Sequence, residues 1–105
     1  MLYNSFEFQS DFDNRGILYY LATNGGTEKW TNPHLINRVK VTASSIEVGK
    51  EWEILNATPS ELWTKDVPAS WFTIDFGPNR AVIPTDYSLR HGGNYRADSL
   101  RFVLL

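Results

Sequence analysis

The chain of 105 residues contains no cysteine. This absence excludes disulfide bonds, thiolate zinc sites and thiol catalysis within it. Small secreted domains usually carry disulfides, so we expect an intracellular protein, and within the cell a cytoplasmic one. Basic clusters are missing too, because ten Lys and Arg are scattered among twelve Asp and Glu, for a formal net charge of −2. We therefore expect no binding to nucleic acid.

Long apolar runs are also absent. No stretch reaches the roughly 20 residues of a membrane-spanning helix, and no basic amphipathic segment indicates a membrane surface. The N-terminal sequence MLYNSFEFQSDFD lacks the basic and apolar regions of a signal peptide. We expect no membrane contact. What the sequence does have is aromatic residues, at 14%, within a hydrophobic fraction of 42%. The length and composition predict one small packed domain over residues 1–105.

Hydrophobic alternation predicts an all-β fold. The clearest case is INRVKVTAS, which places Val39 and Val41 on one face. The predicted strands are about Val39–Ala43, Trp71–Phe76, Asp86–Arg90 and Leu100–Leu104. The predicted core contains Val39, Val41, Trp71, Ile74, Leu89 and Phe102.

Helical signals are few. The segment GILYYLA, residues 16–22, fits either a short helix or an extended piece, and periodicity does not decide between them. A helical turn is predicted over Pro59–Trp63, because proline suits the first helical position after a threonine cap. Asp75, at the end of a predicted strand, is expected to cap the turn before Gly77 or to pair with an arginine.

Catalytic signatures are missing. His34 and His91 are the only histidines, and a metal site needs three or four converging ligands. No Gly-x-Ser-x-Gly motif marks a nucleophile, and Ser88 lies within a predicted strand. We expect a protein that is not an enzyme, with no catalytic residue, no metal and no cofactor.

An ordered set of short motifs resembles discoidin-like domains, the galactose-binding-like jelly rolls of coagulation factors V and VIII. It is most similar to the intracellular branch found in HECT-type ubiquitin ligases and BTB-domain proteins. The match covers most of the chain from about Phe12 onward. Its residues are Phe12-Asp13, Gly16, Tyr19-Tyr20-Leu21, Thr23-Asn24-Gly25, Trp30, Asn32-Pro33, Ser44-Ser45, Trp71, Asp75, Gly77, Tyr87, Leu89-Arg90-His91 and Leu100-Arg101.

The resemblance implies a jelly-roll β-sandwich that is incomplete at its C-terminus. A jelly roll needs about eight strands, and fewer are found before the chain stops at Leu105. The chain is then either a fragment or a domain that completes itself with a partner or a second copy through its last strand, SLRFVLL.

The resemblance also implies a function in protein–protein recruitment, with a role in ubiquitin transfer. The alternative is carbohydrate or small-ligand binding by loops at one end of the sandwich. Three stretches would form that rim: Thr23 to Glu28, Asn56 to Lys65 and His91 to Arg96. Flexible glycines with amide, phenol and guanidinium groups suit a sugar or a peptide, and the candidate ligand-binding residues are Asn24, His91, Asn94, Tyr95 and Arg96.

Overall fold

The computed structural model describes residues 4–10, 13–58 and 60–89 of the chain. They contain one α-helix, α1 (Ile17–Ala22), two strands, β1 (Lys40–Ala43) and β2 (Phe72–Asp75), and a 3₁₀ helix (Glu51–Leu55). Most of this part of the chain is non-helical, in line with a β-rich fold. The segment that sequence left undecided is helical, and α1 follows an extended Gly16.

The two strands form an antiparallel sheet in which Val41 lies opposite Ile74 and Lys40 opposite Asp75. Successive side chains of a strand point to opposite faces of the sheet, in line with the alternation of apolar and polar residues in the sequence. Two of the four predicted strands, Val39–Ala43 and Trp71–Phe76, are confirmed, each slightly shorter than expected. The predicted cap at Asp75 is confirmed as well, since the backbone N–H of Gly77 donates to Asp75 Oδ1 at 2.8 Å.

The buried residues of the described chain all lie between positions 21 and 41: Leu21, Ala22, Thr23, Asn32, Pro33, Val39 and Val41. The predictions for Val39 and Val41 are confirmed. Those for Trp71 and Leu89 are wrong, since the two side chains are 50% and 46% exposed. Trp71 shares the exposed side of its strand with Thr73 and Asp75, whereas Ile74, on the other side, is half-buried.

Two further sequence predictions are wrong in the described residues. Residues 60–63 form no helical turn, and the backbone of Trp63 pairs with Val48 in an isolated antiparallel bridge. The helical turn lies earlier, at Glu51–Leu55. Residues 86–89 form no strand, because neither β1 nor β2 pairs with them. Arg90, the strand Leu100–Leu104 and the core residue Phe102 lie outside the described residues.

Candidate functional site

The first predicted rim stretch is the tight loop that follows α1. Asn24, Gly25 and Gly26 all have positive φ, at 48°, 71° and 86°, which suits glycine and is tolerated by asparagine. The Thr23 hydroxyl accepts the Gly26 N–H at 2.9 Å and donates to the Tyr19 carbonyl at 2.9 Å. These bonds hold the loop in a fixed shape beside the helix end.

Asn24 is exposed at the tip of this loop, and its side-chain amide donates to Glu28 Oε1 at 3.3 Å. The other Glu28 oxygen pairs with Arg38 at 3.2 Å. Arg38 also donates to the Leu21 carbonyl at 2.7 Å, so the loop is tied to the end of α1. Asn24 therefore supports the loop, and its role as a ligand-binding residue stays a prediction.

Asn32 links three separate parts of the chain, although it is only 3% exposed. Its amide nitrogen donates to the Trp52 carbonyl and to Asn56 Oδ1, both at 2.9 Å. Its amide oxygen accepts the His34 N–H at 3.0 Å. A buried amide whose nitrogen and oxygen are both hydrogen-bonded orders the residues around it. Asn32 therefore fixes the second rim stretch, at Asn56, against the turn before β1.

His34 holds the outer side of β1. The backbone N–H of Val41 donates to His34 Nδ1 at 3.0 Å, and the Val39 N–H donates to the Pro33 carbonyl at 3.3 Å. Nδ1 accepts here, so the neutral ring carries its proton on Nε2. The turn at Pro33–His34 thereby covers the strand edge that β2 leaves open.

An open, shallow groove of about 470 Å³ lies beside β1. We call it the β1 groove. Ala43 and Ile46 contribute apolar surface, and Lys40, Glu51 and the His34 ring contribute polar groups. Its lining residues are His34, Lys40, Val41, Thr42, Ala43, Ser45, Ile46 and Glu51.

The β1 groove contains two charged side chains, Lys40 and Glu51, that form no ion pair with the residues the structure describes. The ion pair that the described residues form is Arg38–Glu28, and neither Lys40 nor Glu51 takes part in it. Lys40 lies opposite Asp75 in the antiparallel strand pair. Among the described residues, the groove therefore presents one cation and one anion that form no ion pair.

A second exposed surface is the segment Trp63–Trp71, which two serines hold against the end of β1. Ser44 Oγ accepts the Trp71 N–H at 2.9 Å, and Ser45 Oγ accepts the Lys65 N–H at 3.1 Å. Trp63, Val67 and Trp71 are each about half exposed. Exposed tryptophans are common in protein-binding surfaces.

The sequence-predicted site residues are only partly placed by the structure. Asn24 lies in the first loop, and the second stretch is joined to the turn before β1 through Asn32. His91, Asn94, Tyr95 and Arg96 lie outside the described residues. No group of His, Asp and Glu suited to a metal was found within residues 4–10, 13–58 and 60–89, and the expected absence of a metal stays a prediction.

Sequence reasoning missed Asn32, His34, Lys40 and Glu51 as elements of one region. In the sequence Asn32 belongs only to the short Asn32-Pro33 motif, and the residues it binds lie 20 and 24 positions away. No local pattern signals such a contact. The described helices include none that is long and apolar enough to cross a membrane.

The chain is similar in sequence to a segment of each of two E3 ubiquitin-protein ligases. It is 40% identical over 101 residues to the E3 ubiquitin-protein ligase hecd-1 of Caenorhabditis elegans, which covers 91% of this chain and 4% of that protein. It is 39% identical over 105 residues to the E3 ubiquitin-protein ligase Ufd4 of Drosophila melanogaster, which covers 95% and 4%.

A more distant relative is a BTB/POZ domain-containing protein of Arabidopsis thaliana, 22% identical over 102 residues, with 88% of this chain and 12% of that protein covered. No family model matches the chain. No solved structure matches it either. The chain thus spans about 4% of the length of the two ligases, and it is homologous to one segment of each.

Proposed function

We propose that the chain is a non-catalytic module that recruits a protein partner within a larger, intracellular E3 ubiquitin ligase. The observation that carries this proposal is the identity of about 40% across more than nine-tenths of the chain with segments of two such ligases. A segment that forms so small a part of a ligase is suited to an accessory role beside the catalytic machinery.

We also propose a fold for this module, a discoidin-like β-sandwich. The antiparallel β1–β2 pair and the Asp75 cap support a discoidin-like, galactose-binding-like sandwich, because both involve residues of the motif set that carries the resemblance. The BTB/POZ relative supports it as well, since the resemblance names that class of protein.

The test uses the full-length ligase that contains this chain, as wild type and with Asn32→Asp. This substitution removes the amide donors that join Trp52 and Asn56 to the turn before β1. Asn79→Asp, at an exposed position, is the matched control. Two properties are measured: ubiquitin discharge from a loaded E2 enzyme, and the proteins bound, by quantitative crosslinking and mass spectrometry.

We expect Asn32→Asp to leave E2 discharge unchanged and to remove a defined set of bound proteins, whereas Asn79→Asp changes neither. An unchanged set of bound proteins would contradict recruitment. Loss of E2 discharge, or ubiquitin transfer by the 105-residue chain alone with E1 and E2 enzymes, would contradict the non-catalytic assignment.

A glycan array addresses the carbohydrate alternative directly. We expect no specific binding by the 105-residue chain. Specific binding that is lost on Tyr95→Ala and Arg96→Ala would favour a ligand-binding rim over protein recruitment, because both residues belong to the predicted rim.

A further inference from the structure

We propose that the β1 groove binds a short peptide segment of the partner protein, one that carries an acidic side chain for Lys40 and a basic side chain for Glu51. This inference rests on the proposed recruitment function and names the surface and the chemistry that recruitment would use. Three features support it: the shape of the groove, two charges that form no ion pair with a described residue, and one fixed hydrogen-bond donor.

The shape of the groove favours a peptide over a small molecule. Sites for small ligands enclose most of the ligand surface, whereas this groove is open and runs beside a strand of four residues. A strand of that length spans about 13 Å at roughly 3.3 Å per residue. A segment of a few residues fits beside it and continues into the partner on either side.

The charges of the groove define its ligand. Lys40 is exposed and Glu51 is half-exposed, and neither forms an ion pair with a described residue. Asp75 lies opposite Lys40 in the strand pair, and the two side chains do not form an ion pair with each other. A ligand with one charge of each sign therefore complements the groove, while a ligand of a single sign meets repulsion at one of the two residues.

His34 supplies the directional contact. Since its Nδ1 accepts the Val41 N–H, the neutral ring has a donor at Nε2, and no described residue accepts from it. This N–H and the Lys40 ammonium line the same groove. Together they suit a carboxylate of the bound segment, and the apolar surface of Ala43 and Ile46 suits an uncharged residue beside it.

The test begins with a phage-displayed library of random dodecapeptides, selected on the 105-residue chain. An enriched peptide is then synthesised, and its Kd is measured by fluorescence polarisation. The variants are Lys40→Glu, Glu51→Lys and the double reversal. Lys29→Glu is the matched control, because Lys29 is exposed and does not line the groove.

We expect enriched peptides with one acidic and one basic residue. Each single reversal should weaken binding about tenfold, and the control should change it less than about twofold. The double reversal should prefer a peptide whose two charges are exchanged. Loss of binding with added salt should accompany these effects.

Two results would overturn the inference: no enrichment above background, or binding that Lys40→Glu and Glu51→Lys leave within about twofold of wild type. Either result leaves the recruitment function standing if the full-length ligase still loses partners on Asn32→Asp. If that ligase loses no partners, the recruitment function fails independently of the groove.

Discussion

The segments 21–41 and 60–89 of the described chain differ sharply in burial. Every buried residue lies in the first segment, and the second contains none. The first includes two buried polar side chains, Thr23 and Asn32, whose hydrogen bonds are made. The second exposes six of the large apolar side chains, namely Trp63, Val67, Trp71, Ile83, Tyr87 and Leu89.

The difference shows what holds this chain together. In the first segment, side chains such as Asn32 and Arg38 bond to backbone carbonyls far along the sequence, so apolar burial and polar bonding reinforce each other. In the second segment, β2 and the serine contacts supply order, and apolar side chains remain available. We therefore expect substitutions in the first segment to affect stability and substitutions in the second to affect it little.

The largest effect is expected for Asn32→Asp. The change replaces two amide donors by acceptors that face the Trp52 carbonyl and Asn56 Oδ1, and it buries a charge. We expect the free energy of unfolding to fall by about 3 kcal/mol or more, measured by urea denaturation. Asn79→Asp, exposed in the second segment, should change it by less than about 0.5 kcal/mol. Equal effects would contradict the comparison.

Gly49→Ala should be the next largest. Gly49 has a φ of 89°, and an added Cβ would lie 2.5 Å from the Glu61 carbonyl oxygen and 3.2 Å from Leu62 Cα. We expect a loss of about 2–3 kcal/mol from strain and overlap together. Gly26 has a φ of 86°, but a Cβ added there would meet no atom within 4 Å. Gly26→Ala therefore measures the backbone strain alone and should lower the free energy of unfolding by about 1 kcal/mol.

If Gly49→Ala and Gly26→Ala lower the free energy of unfolding equally, residues 61–62 do not approach Gly49 closely. The start of the second segment would then not be held against residue 49, which lies between the two segments.

Trp71→Ala reverses an expectation from sequence. Truncation of a core tryptophan lowers the free energy of unfolding by about 3–5 kcal/mol. The Trp71 side chain is half exposed, however, and its backbone keeps the hydrogen bonds to Ser44 in the variant. We expect a loss of about 1 kcal/mol. Leu21→Ala, in the buried segment, should cost about 2–5 kcal/mol in the same assay. A cost for Trp71→Ala as large as that for Leu21→Ala would show that both segments contribute to one core.

The smallest effect concerns Asp13, which lies outside both segments. Its carboxylate accepts the backbone N–H of Arg15 and, more weakly, those of Ser10 and Gln9, and these bonds hold the Asp13 pKa below its ordinary value. The folded pKa is lower than the unfolded one. The contribution to stability is therefore present above the unfolded pKa and is lost as the pH falls through the folded value.

We expect Asp13→Asn to be slightly less stable than wild type at neutral pH, with the difference shrinking as the pH falls through the folded pKa of Asp13. Urea denaturation at several pH values measures it. A difference that is constant with pH would show that the carboxylate charge contributes nothing.

The sequence predicted the parts of the fold that depend on local periodicity. Val39 and Val41 alternate with polar residues, and both are buried in β1. The same reasoning failed for Trp71, because alternation identifies the two sides of a strand without showing which side is covered. It also placed the helical turn at Pro59 because a local cap signal was present, whereas the pairing of Trp63 with Val48 is set by residues 15 positions apart.

The candidate site was the least predictable part. The β1 groove forms only when the turn at His34, the strand at Lys40 and the 3₁₀ helix at Glu51 come together, and none of these residues belongs to a recognisable motif. Loop composition directed attention to Asn24, whose side-chain amide in the structure supports the loop itself.

Native-state hydrogen exchange tests the contrast between the segments most directly. The account predicts the slowest exchange for the amides of Thr31, Val39 and Val41, which donate to the Ala22 carbonyl, the Pro33 carbonyl and His34 Nδ1. It predicts fast exchange for Val82, Ile83 and Tyr87, which lie outside both strands. Equal protection of the two groups, or greater protection of residues 82–87, would contradict it.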